Sequence, residues 1–214
     1  MEPRWVVNQD WIVLILLGIF MLLAILKARF PRRFHEFLLL PITDKYFNLE
    51  GKNTGVTHPF SLLLFLVQAI SFSLFISLFL AIRKEQTSPT FLLFIQVFTG
   101  FTLVILAKYY IEKLIAHILD IEKSLADYFY KKLSYINLFS IMLLGINLIF
   151  YFVHTLGASV FYIFCIGFGF LYFITLLSSF RKNTNLILGN FFYFILYLCA
   201  LEIAPYVILY KLVV

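Results

Sequence analysis

The chain reads as long, unbroken apolar runs separated by short polar segments, and the runs are long enough to cross a membrane. Crossing the hydrocarbon core takes about 20 mostly apolar residues in a helix. Six runs are candidates, at about 11–26, 59–82, 91–107, 134–152, 158–180 and 186–210. The first is short and has Trp5 and Trp11 at its edge as interface anchors. The runs are continuous rather than alternating, which argues against a β-barrel. In lipid only helices and closed barrels satisfy their own backbone. The pattern predicts an all-α integral membrane protein: six transmembrane helices in one polytopic domain, 1–214.

Composition agrees. Hydrophobic residues make up 63% of the chain and charged residues 13%, against roughly half and a quarter in soluble domains. The lipid bilayer is the expected solvent.

The polar segments set the expected threading. Segment 27–58 holds six Lys and Arg residues, 108–133 holds five, and Arg181 and Lys182 follow in 181–185. The intervening side has Arg4, Arg83, Lys84 and Lys211. Thirteen of seventeen basic residues therefore fall on one side, which the positive-inside rule makes cytoplasmic. Both termini are expected outside. The first run is preceded by Glu2 and Asp10 and followed by Lys27, Arg29, Arg32 and Arg33, the reverse of a cleavable signal peptide. The same rule accounts for the net charge of +6, so no nucleic-acid partner is expected.

Two cytoplasmic segments carry most of the mass outside the bilayer, and neither is long enough for its own core. In 108–133, Ile111, Leu114, Ile115, Ile118, Ile121, Leu125 and Phe129 recur at steps of three and four. That periodicity predicts one amphipathic cytoplasmic helix between spans 3 and 4. Its polar face holds Glu112, Lys113, His117, Asp120, Lys123 and Asp127, candidates for docking a partner. The helix either continues span 3 or lies along the headgroups. In 27–58, Phe30, Phe34, Phe37, Leu38 and Leu39 are interleaved with Arg29, Arg32, Arg33 and His35, as in an interfacial segment. Arg32 and Arg33, with Lys131 and Lys132, are candidates for a lipid phosphate.

Polarity within the spans is the remaining clue. Glu202 is the one ionisable residue deep in a span, and Pro205 follows one turn later, freeing the carbonyl of Leu201. Three roles compete for Glu202. It is a protonated hydrogen-bonding link between helices, a partner of Lys211 or Arg83, or a proton relay or substrate ligand. Asn147, Gln68, Gln96 and Asn190 are the other intramembrane polar candidates, each commonly an interhelical hydrogen bond. Ser73 and Ser77 share a face and read as a packing seam. Cys165 and Cys199 lie inside apolar runs and read as free thiols. No catalytic motif or metal-ligand spacing is present, so no cofactor, metal or catalytic residue is expected.

Three functions follow in order. The first is a non-catalytic subunit or assembly factor of a membrane complex, bound to other membrane proteins. The second is a small proton-coupled transporter using Glu202. The third is a membrane-embedded lipid-modifying enzyme using the basic residues.

The run Phe192-Tyr193-Phe194-Ile195-Leu196-Tyr197-Leu198-Cys199-Ala200-Leu201-Glu202-Ile203-Ala204-Pro205, closing on Tyr210-Lys211, resembles the C-terminal signature of an uncharacterised integral-membrane family of Bacteroidota. Lys132-Leu133-Ser134-Tyr135-Ile136-Asn137 and His58-Pro59-Phe60 resemble further landmarks of it. The resemblance covers the whole chain. It implies a cell inner membrane and envelope processes such as protein export, but no reaction.

Overall fold

The computed structural model describes residues 10–40, 46–47, 58–83, 89–118 and 122–152, with 163–164, 166–167 and 169. Five helices run through them: α1 (Asp10–Arg29), α2 (Pro31–Leu38), α3 (Pro59–Arg83), α4 (Phe91–Ile118) and α5 (Glu122–Phe152). All but the short α2 are long and apolar enough to cross a membrane. They answer to the first four expected spans. Spans 5 and 6, the segment 181–185 and both termini lie outside the described residues, apart from the few positions named in span 5.

Local chemistry sets the helix starts. Thr90 precedes α4, and its Oγ1 accepts the Leu93 amide at 3.3 Å, satisfying one of the amides a helix leaves open at its start. Pro59 opens α3 at the first helical position, where a missing N–H costs nothing. α2 begins the same way at Pro31. Phe30 (φ −133°, ψ 58°) turns the chain between α1 and α2.

The outer face of the bundle is apolar, unlike that of a soluble protein, and polar side chains are found inside it. Leu14, Leu17 and Met21 of α1 are 69%, 62% and 65% exposed, whereas Gln68, Ser71, Ser73, Ser77, Asn137, Ser140 and Asn147 are buried. In water such a surface would aggregate. In lipid it is the inexpensive arrangement, because apolar side chains face hydrocarbon and polar ones face each other.

The centre of the bundle is the seam between α3 and α5. On α3 the buried positions Phe60, Leu64, Val67, Ser71, Leu74, Leu78 and Ala81 recur at alternating steps of four and three. On α5, Asn137, Ser140, Leu144, Asn147 and Tyr151 do the same. This is the repeat that keeps two helices in contact along their length. The two run parallel: Asn147 bonds at Ser71 and, one turn on, Tyr151 bonds at Leu74. α1 runs antiparallel to α3. Its first turns join Leu74, Leu78, Phe94 and Tyr151 in one core cluster, and Leu26 at its other end joins Phe60, Leu64 and Leu138 in a second. Trp11 packs on Phe91 and Phe94 at 5.4 and 5.5 Å, tying the start of α1 to the start of α4.

The ends of the bundle differ in charge. One gathers the end of α1, α2, Tyr46–Phe47, the start of α3, the end of α4 and the start of α5. Lys27, Arg29, Arg32, Arg33, Lys108, Lys113, Lys131 and Lys132 all lie there. Arg83 is the basic residue described at the other end.

The segment 108–133, expected as one amphipathic helix, is instead shared by two. α4 extends to Ile118, and α5 begins at Glu122. Glu112 and Lys132 meet at 3.7 Å, whereas residues that far apart in one helix would be separated by about 30 Å. The reversal lets α5 return into the membrane alongside α3 and bury its seam. No glycine or proline marks it.

Filling the seam is expected to cost more than trimming the lipid face. Ser77→Leu should destabilise the bundle by about 1–3 kcal/mol through overpacking, and Leu17→Ala by no more than about 0.5 kcal/mol. Thermal unfolding in detergent measures both, and the reverse ranking would contradict this packing.

Candidate functional site: the polar seam and the basic end

Two groups of polar side chains come together. The first lies within the α3–α5 seam. Asn147 Nδ2 donates to the Ser71 carbonyl at 2.9 Å, and the Tyr151 hydroxyl donates to the Leu74 carbonyl at 3.1 Å. A carbonyl oxygen has a second lone pair beyond the helix ladder, which Asn147 uses at Ser71 and which Tyr151 shares with the Ser77 hydroxyl at Leu74. Hydroxyls of Ser73, Ser77 and Ser140 turn back to the carbonyls of Ala69, Leu74 and Asn137 at 2.6, 2.8 and 2.6 Å. A serine so bonded hides its polarity and lets the neighbouring helix approach closely. Gln68 Oε1, Ser71 Oγ, Asn137 Oδ1 and Asn147 Oδ1 are buried and have no hydrogen-bond partner among the described residues.

The second group caps the basic end. Lys132 of α5 and Glu112 of α4 form a buried ion pair across the helical hairpin. Next to it, Tyr130 donates its hydroxyl to that of Tyr46 at 2.9 Å, with the rings stacked at 6.0 Å. Lys131 Nζ lies 6.0 Å from the centre of the Phe47 ring, within reach of its negative face. On the other flank His58, immediately before α3, accepts the Phe60 amide on Nδ1 at 3.2 Å. Arg33 Nη1 of α2 lies 3.0 Å from both ring nitrogens. Nδ1 accepts and therefore carries no proton, so the imidazole serves as the helix cap and as the anchor for α2. Phe37, Leu40 and Tyr46 then seal the cap against Phe60, Leu64 and Leu138.

The sequence-derived candidates divide on this structure. Asn147 and Gln68 lie in the seam region, both buried. Gln96 is on an exposed face of α4. Glu112 is turned inward to Lys132 rather than presented on a docking face, while Lys113 and His117 are exposed on α4. Lys123 and Asp127 are carried by the first turns of α5. Of the lipid-phosphate candidates, Arg33 is engaged at His58, Lys131 at Phe47 and Lys132 at Glu112, and Arg32 is exposed. Asp120, Asn190, Glu202 and Pro205 lie outside the described residues. No three His, Cys, Asp or Glu side chains converge among the described residues.

Sequence reasoning did not find His58 as a cap, the Tyr46–Tyr130 pair, or Ser71 and Tyr151 in the seam. His58-Pro59 did carry a signal, a polar residue followed by proline at a helix start. The tyrosine pair joins positions far apart in sequence and left none.

Removing one partner of the buried ion pair leaves the other charge buried without its opposite across the hairpin. Glu112→Gln is expected to destabilise the protein by about 3–5 kcal/mol, and pairing Glu112→Leu with Lys132→Met should restore most of that. Unfolding of both variants in detergent decides it. A double variant no more stable than the single one would contradict the buried pair.

The comparisons with known proteins come to one family. The match, described as Domain of unknown function (DUF4271), spans residues 12–213. No curated protein and no solved structure matches the chain. With nearly its whole length covered, the chain belongs to the DUF4271 family.

Proposed function

We propose that this protein is a non-catalytic subunit or assembly factor of a bacterial cytoplasmic-membrane complex, working in envelope biogenesis or protein export. In this reading the basic end faces the cytoplasm, because basic residues are retained on that side. The chain crosses six times, with both termini periplasmic. The cell inner membrane of a Bacteroidota bacterium is the setting.

The observation that carries the reading is the use made of intramembrane polarity. Asn147 and Tyr151 spend their donors on the carbonyls of α3, and Ser73, Ser77 and Ser140 bond within their own helices. These are packing bonds, of a kind worth about 1 kcal/mol each in membranes. A carrier would be expected to aim such groups into a cavity, with broken helices around it. The basic end supports the same reading. Its buried charges are paired to hold a hairpin, and Lys113 and His117 stand exposed beside that hairpin, where a cytoplasmic or membrane partner could meet them with Lys123 and Asp127.

The test is to isolate the full chain from its native membrane in lipid nanodiscs and measure particle mass and composition. A second protein in fixed stoichiometry is expected, and Lys113→Glu combined with Lys123→Glu should reduce its recovery severalfold while leaving insertion unchanged. A lone particle, or a partner retained in full by the double variant, would overturn the reading.

A further inference from the structure

We propose that the elbow between α1 and α2 binds the phosphate of an anionic phospholipid. Lys27 and Arg29 close α1, and Arg32 stands at the start of α2. All three are exposed, and none makes an ion pair or hydrogen bond to a described residue. Of the other described cations at this end, Arg33 is engaged at His58, Lys131 at Phe47 and Lys132 at Glu112, while Lys113 stands apart on α4. Three exposed cations are thus gathered within six residues of one elbow.

The elbow is a fixed surface. Phe30 N donates to the Leu26 carbonyl and Phe34 N to the Phe30 carbonyl, both at 2.9 Å, so the backbone stays bonded across the turn. Leu26 on one side and Phe37 and Leu40 on the other are fully packed into the core of the basic end. α2 therefore has an apolar inner face, while Arg32 and His35 point outward. Such a helix sits at headgroup depth with its basic residues among the phosphates.

The surface beside the elbow fits the rest of a lipid. Leu17, Met21 and Ile25 are exposed along α1 toward the same corner, offering acyl chains an apolar wall directly below the cations. A soluble phosphate would use the charges and leave that wall idle, so the occupant is a membrane lipid. Glu36, one turn beyond Arg32 and partly exposed, forms no ion pair with it. It opposes the phosphate, leaving three cations against one carboxylate.

The experiment is native mass spectrometry of the full chain in detergent, titrated with phosphatidylglycerol or with phosphatidylcholine of the same acyl chains. Phosphatidylglycerol is expected to be retained preferentially. Each of Lys27→Gln, Arg29→Gln and Arg32→Gln should weaken its retention by about fivefold, with phosphatidylcholine unaffected. Glu36→Gln should strengthen it, a gain that loss of folding cannot mimic. Equal retention of both lipids overturns the proposal, and so does a triple glutamine variant that binds phosphatidylglycerol like the unmodified chain. Displacement of the lipid by millimolar inorganic phosphate would also overturn it, since the site would then serve the free anion.

Discussion

Hydrocarbon offers no water to a polar group, and the arrangement of this protein follows from that. Every amide, hydroxyl and charge within the spans must find its partner in the chain or leave the core. The α3–α5 seam is the solution at the centre. Two parallel helices share a repeat of three and four, and Asn147, Tyr151, Ser73, Ser77 and Ser140 donate to helix carbonyls rather than to solvent. α1 can then present leucine and methionine to the lipid, because polarity has been drawn inward.

The same constraint acts differently at the basic end, where water is close. There Glu112–Lys132 fixes the α4–α5 hairpin, and His58 fixes α2 to the start of α3. Aromatic contacts among Phe37, Tyr46, Phe60 and Tyr130 fill the space between these anchors. The cations that the anchors use are held inside the cap, and those at the α1–α2 elbow are left outside it. A division of that kind separates structural charge from charge available to the membrane surface.

Much of this was legible in the chain. Continuous apolar runs gave the first four spans to within a few residues at most boundaries. The hairpin was not legible. Residues 108–133 contain no glycine or proline, and their periodicity suits one helix as well as two. Glu112 was misplaced for a related reason. A polar residue on an amphipathic pattern is expected outward, but its partner Lys132 lies on the next helix, and only tertiary contact turns both inward. The seam was visible in part: Ser73 and Ser77 announced close packing, while the pairing of Ser71 with Asn147 depends on knowing that α3 and α5 are neighbours and parallel.

Intramembrane polar groups bind α3 to α5 in parallel register. Cysteines at 71 and 147, introduced after replacing Cys165 and Cys199, test it directly in native membranes with a short bifunctional thiol reagent. Efficient cross-linking of Ser71→Cys/Asn147→Cys is expected, together with failure of Leu66→Cys/Asn147→Cys, because Leu66 is exposed on α3. Equal cross-linking of both pairs, or of neither, would contradict the seam.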